Sequence, residues 1–359
     1  MSDEALAVVE SSFTMDVRAE SWLGGDLLAD SIPISDGGED RDRSMAIPER
    51  ISLTVPRRDR GYDWDPGTDP SHPLAAYGQQ LRIDYGVNLG THTEWINRGW
   101  FLITGCEAEG DTVSVELQGL LTLIDEAKLV APFQPSSTDT LASTARALVE
   151  PALTCQFDGA LTDRLASSSM QWDSDRMEAL SDIASAWAAD YRVTEDALLL
   201  WEPLDDSGTP VLSLTDGQGG TVIRWQATTG RDGAFNVVVS QGEDANGNQI
   251  QGVAYDSDPN SPFVYGGAFN PLPVPYTEFS PLLSTVAQCR KAARTTLLRL
   301  RRSNSRRLGV TMVPHPGLMT GDIVSVTGQG LRNQPCVIET LHLPYSPDAM
   351  ALTVRVLSS

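Results

Sequence analysis

Apolar residues recur along this chain in two rhythms, and the change of rhythm divides it. Up to residue 119 the period is two. Phe13, Met15, Val17 and Ala19 alternate with polar neighbours, as do Leu81, Ile83 and Tyr85, and Val113, Val115 and Leu117. Alternation predicts strands with one buried face. Further strands are expected at 27–34, 50–56 and 95–104, with surface loops at 35–46 and 57–78. Six or so strands without a long helix point to a barrel or sandwich over 1–119.

From Gly119 the period becomes helical. Short helices are expected at 120–129 and 140–149. A longer one at 175–189 carries Leu180, Ile183, Ala184 and Trp187 on one face. A hairpin at 191–201 completes a small α/β module over 120–205. Strands resume at 211–214, 222–225 and 235–240. Asn246-Gly247 is a strong hairpin turn, and a proline-rich extended loop follows, so 206–282 reads as connecting hairpins and loop. From Thr285 to about Arg302, Val286, Cys289, Ala293, Leu297 and Leu300 recur at steps of three and four and predict an amphipathic helix. Ser284 or Thr285 can cap it. Strands are expected at 308–313, 323–326, 336–343 and 350–357, so 283–359 reads as a helix plus strands that complete a second β module. The class is mainly β, with two barrel or sandwich modules joined by a small α/β module.

A hydrophobic fraction of 41% and a charged fraction of 21% fit a folded globular chain. The net charge of −22 excludes general nucleic-acid binding, which needs surplus Lys and Arg. That charge is uneven. No Asp or Glu lies between Glu278 and Asp322, whereas Arg290, Lys291, Arg294, Arg299, Arg301, Arg302, Arg306 and Arg307 do. These eight are the candidate subunit-interface residues, facing an acidic partner or another copy of the chain. The plainer alternative is a solvated helix face.

Little else suggests chemistry. The histidines His72, His92, His315 and His342 are isolated, and Cys106, Cys155, Cys289 and Cys336 lack metal or redox spacing. No catalytic residue, metal or cofactor is expected. The cysteines read as small buried hydrophobes of a chain folded in a reducing cytoplasm. Met1-Ser2-Asp3-Glu4 lacks a signal-peptide start, and no apolar run could cross a membrane. Asp244-Ala245-Asn246-Gly247-Asn248 lacks the later ligands of a calcium loop. Gly217-Gln218-Gly219-Gly220 lacks the lysine of a phosphate loop. Trp22 and Trp64 adjoin loops and, with Tyr255, Tyr265 and Tyr276, form a candidate receptor or partner surface.

Several phrases together resemble one family, the minor tail proteins of phages infecting actinobacteria. They are Ile47 to Pro56, His72-Pro73-Leu74-Ala75-Ala76-Tyr77-Gly78, Gly99-Trp100-Phe101-Leu102-Ile103, Leu117-Gln118-Gly119-Leu120-Leu121, Phe235-Asn236-Val237-Val238-Val239, Asp256 to Phe263 and Pro316 to Val324. Such proteins are similar in plan to the hub of a phage tail or baseplate. The resemblance implies two tail-tube-like barrels per chain and a homotrimeric ring that continues the six-fold tube around the DNA exit path. Implied partners are the distal tail protein, the tape measure and further tail-tip proteins, in the virion. DNA would pass without specific binding. The resemblance supplies no catalytic residues. The chain ends soon after its second sheet, leaving no expected lysozyme, peptidase or spike domain. The alternatives are a receptor-binding module and a cell-wall-degrading enzyme.

Overall fold

The alternating runs fold as strands and the helical runs as helices, in a computed structural model that describes residues 1–9, 14–167, 170–204, 206–228, 234–244, 247–259, 261–280, 283–303 and 306–357. Phe13 and Asn246, and the loop at 230–233, fall outside these residues. Strand outweighs helix, and the molecule is mainly β with large antiparallel sheets.

The first module holds helix α1 (Asp3–Val9) and strands β1 (Met15–Leu23), β2 (Asp26–Ala29), β3 (Asp36–Asp42), β4 (Glu49–Pro56), β5 (Arg58–Asp59), β6 (Tyr62–Asp63), β7 (Gln80–Asn88), β8 (Thr93–Glu109) and β9 (Thr112–Gly119). An α/β module follows: α2 (Thr122–Glu126), α3 (Leu141–Val149), β10 (Thr154–Phe157), α4 (Arg176–Trp187), β11 (Ala189–Val193) and β12 (Leu198–Pro203). Thr140 caps α3 in a capping box with Ser143, and Asp175 caps α4 through the Met177 and Glu178 amides. Leu141, Leu180, Ile183, Trp187 and Trp201 of this module are buried together in a second apolar cluster, which Leu102 of β8 joins.

Next come β13 (Leu212–Thr215), β14 (Val222–Thr228), β15 (Val237–Glu243), β16 (Gln249–Tyr255), β17 (Pro275–Phe279) and helix α5 (Val286–Ser303). The chain closes with β18 (Arg307–Met312), β19 (Ile323–Gly328), β20 (Leu331–Pro344) and β21 (Met350–Val356). Thr285 accepts the Gln288 amide at 3.2 Å, and the Gln288 side chain accepts the Ser284 amide at 2.9 Å, which fixes the start of α5.

The two β modules are joined in one hydrogen-bonded sheet, ordered β14-β18-β21-β20-β3-β4-β9-β8-β7-β1-β2, with β19 also on β20 and β13 on β19. β20 makes the join. Its Cys336 and Val337 pair with β19, whereas Thr340 to Pro344 pair with β3. A bulge against β21 between Ile338 and Thr340 separates the two stretches. A bulge bends its strand, so one long strand can serve both modules. The core is correspondingly shared: Ile51, Leu81, Ile83 and Val115 belong to one apolar cluster with Val310, Val326, Ile338 and Val354.

Three expectations are corrected. The charged loop at 35–46 contains β3, a central strand paired on both sides. Its inward positions hold Glu39 and Arg41, so the polar pattern concealed a buried strand. The long loop at 57–78 contains the β5–β6 hairpin, and Trp64 beside it is buried. Helix α5 does not complete the second β module. It lies on β15 and β16, which form a small sheet with β17 in the order β16-β15-β17.

Candidate assembly surface

Glu39 sits fully buried at the seam between the modules. Arg98 of β8 grips it with both Nε and Nη2, at 3.0 and 2.8 Å, and donates through Nη1 to the Leu318 carbonyl at 3.1 Å and to the Pro316 carbonyl. Arg41 also donates to Glu39, and to the Arg98 carbonyl at 2.6 Å. Burial alone would push the Glu39 carboxyl up. The two guanidiniums outweigh it and hold the group at about 2. Two cations thereby tie β3 and β8 to the loop between β18 and β19.

Glu49 lies behind Arg41, its carboxylate 3.9 Å from the guanidinium, and burial raises its pKa. The residual space around Arg41, Glu49 and Arg98 is about 10 Å³. That is no larger than a single water position, so the cluster braces the seam and admits no substrate. His315 is buried beside it with no hydrogen-bond partner for either ring nitrogen, and burial draws its pKa down to about 4.

A wider cleft of about 700 Å³ opens between the α/β module, the β3–β4 turn, β20–β21 and the end of α5. Its walls are cross-linked by Arg43 to Asp190 at 3.0 Å, Arg355 to Asp206 and to Glu339 at 2.6 Å each, and Arg307 to Glu339 at 2.6 Å. Opposite charges answer each other across the cleft, and the Ser44 hydroxyl on its wall donates to the Asp42 carboxylate at 2.6 Å, two residues away in the β3–β4 turn.

The surface left without partners is on the small module of β15–β17 and α5. One helix face is buried through Cys289, Ala293 and Leu297 against Val238 and Ala254. Gly252 is required there, because a Cβ would run into the backbone of Cys289 and Arg290. Glu278 reaches under the helix to Thr296 at 2.9 Å. The other helix face presents Arg290, Lys291, Arg294 and Arg299 to solvent, with no ion pair among the described residues. Leu298, between them, is 57% exposed.

The other candidate residues fall in different places. The side chains of Arg301 and Arg302 lie outside the described residues. Arg306 and Arg307 leave the helix face: Arg306 donates to the Gln329 carbonyl at 2.8 Å, and Arg307 pairs with Glu339. Trp64 is a core residue packed on Tyr62 and His72, which removes it from the receptor surface. Trp22 is half-buried against Trp100. Tyr255 and Tyr265 form an exposed pair with centroids 4.9 Å apart, and Tyr276 packs on Phe235. Sequence reasoning missed Glu39, Arg41 and Arg98. The signal available was two opposite charges at i and i+2, which share one face of a strand.

No family model matches this sequence, and no curated protein matches it. Solved structures do. A tail protein from Neisseria meningitidis MC58 superposes with a TM-score of 0.66 at 13% identity, covering 95% of this chain and 96% of that one. The chain has the fold of a phage tail protein. The 43 kDa tail protein of prophage MuSo2 from Shewanella oneidensis gives 0.62 at 13% identity, covering 95% and 98%. Prophage tail protein gp18 from Listeria monocytogenes EGD-e gives 0.58 at 9% identity, covering 94% of each. At such identities the likeness is one of fold, carried by hydrophobic pattern and topology and not by retained side chains.

Proposed function

We propose that this chain is a structural subunit of a phage tail tip, a hub that assembles as a homotrimer, continues the tail tube and surrounds the path of the DNA. It would sit in the virion as a minor tail protein, of the kind found in phages of actinobacteria. The observation that carries this reading is the unpaired cationic face of α5 on a chain of net charge −22. A solvated cation face gains little from its own chain, whereas an acidic neighbour steers and registers against it. The tail-protein fold supports the same reading. Acidic residues at the lumen would let DNA slide without adhering. The distal tail protein and tape measure are the expected neighbours along the axis.

Light scattering tests the proposal. The purified chain should show a trimer mass that falls to a monomer mass in the double variant Lys291→Glu with Arg294→Glu. A wild-type monomer, or a variant trimer unchanged, would count against it. A second reading, receptor binding through the exposed Tyr255–Tyr265 pair, predicts that the isolated chain decorates host cells. A third, a cell-wall hydrolase, predicts clearing in a zymogram, where a hub leaves the substrate intact.

A further inference from the structure

The small module has two outer faces that point in opposite directions. On one side α5 shows Lys291, Arg294 and Leu298. On the other, the sheet turns Val239, Val253 and Phe279 away from the helix. This follows from the register: Val238, Ala254 and Glu278 face α5, and side chains alternate along each strand. Phe279 is 54% exposed, whereas at the other end of this face Val237 is buried and Tyr265 packs on Tyr255.

The two faces differ in character. The helix face is cationic. The sheet face mixes Val239, Val253 and Phe279 with Gln241, Gln251 and Thr277, carries exposed Glu243, and is free of Lys and Arg. Guanidinium groups pack favourably over aromatic rings and bond to carboxylate and amide oxygens. A chain cannot satisfy its own helix with its own sheet, because the two faces lie on opposite sides of one layer. Helix against helix would oppose like charges, at a cost. Sheet against sheet would leave every helix face unpaired. The one arrangement that uses both faces is head to tail, and a head-to-tail contact closes into a ring when the rotation permits.

We propose that α5 of one copy lies across the open face of β15–β17 of the next copy. The occupant is therefore a second copy of this chain, and the inference rests on the hub reading above. Each subunit gives one helix face and receives on one sheet face, so the ring has no free member of either kind.

Two variants and their mixture test this by sedimentation velocity. The helix variant carries Arg290→Glu, Lys291→Glu and Arg294→Glu. The sheet variant carries Val253→Lys and Phe279→Lys. Each alone should weaken trimer formation by roughly tenfold or more. Mixed, they should form a one-to-one complex, because one helix and one sheet face remain intact between them. That complex also shows that both variants fold. Combining all five substitutions in one chain should restore the trimer by exchanging the charges. A sheet variant that still forms trimers, or a mixture that stays monomeric, overturns the head-to-tail contact while leaving the hub reading in place. Failure of the wild type itself to form a trimer overturns the hub reading.

Discussion

Glu39 shows how a single carboxylate can hold two modules in register. Removing it leaves Arg98 buried without its counter-charge and Arg41 with Glu49 alone, a loss of about 3–5 kcal/mol. Glu39→Ala should lower the unfolding free energy from urea titration by that much, whereas Asp40→Ala, on the exposed side of the same strand, should leave it nearly unchanged. The same residues set the acid response. Glu39 is held at about 2, below its ordinary 4.5, so the stability it contributes is complete above pH 4.5 and is lost as pH falls through 2. His315 is kept neutral down to about 4, below its ordinary 6.5, so its contribution is lost earlier, as pH falls from 6.5 through 4. Glu49 runs the other way, since its raised pKa favours the protonated form in the fold. Unfolding followed across pH should show two descending limbs, and His315→Leu should abolish the first and keep the second.

At the scale of elements, α5 depends on one glycine and a very small core. Cys289, Ala293 and Leu297 of the helix are buried against Val238 and Ala254 of the sheet. A core of that size supports little independent stability. Gly252→Val would push the helix from the sheet at its closest approach. The expected result is rapid proteolysis within 283–303, while the thermal transition of the main sheet stays where it is. The helix itself was legible, because its apolar spacing and its Thr285–Gln288 cap are local features. Its partner was not. The sequence pointed to the strands that follow α5, but the helix packs on the strands that precede it. Helix period tells which face is buried and says nothing of what covers it.

Across the whole molecule the distribution of charge is as instructive as the topology. Ten of the 26 Lys and Arg, but only three of the 48 Asp and Glu, lie after residue 282. Assembly that uses this asymmetry should be sensitive to salt, because exposed charges are screened within about 8 Å at physiological ionic strength. Raising NaCl should shift the proposed trimer toward monomer without unfolding the chain, as read by light scattering together with circular dichroism. The seam should hold under the same salt, since its charges are out of contact with solvent.

By itself the sequence determined which segments alternate and which wind, because burial of one face of a strand or helix is written into neighbouring residues. It likewise determined that the cations of α5 gather on one outward face, since a period near 3.6 places Arg290, Lys291 and Arg294 together. Only the tertiary structure decided that Asp36–Asp42 is a strand, the one against which β20 joins the two modules. Its inward charges are stable there because Arg98, far away along the chain, completes their hydrogen bonds. Only the fold, too, placed Trp64 in the core and drew Arg306 and Arg307 away from the helix face. Patterns along a chain record whether a residue is buried on average. What compensates a buried charge is a long-range neighbour, and no local pattern encodes it.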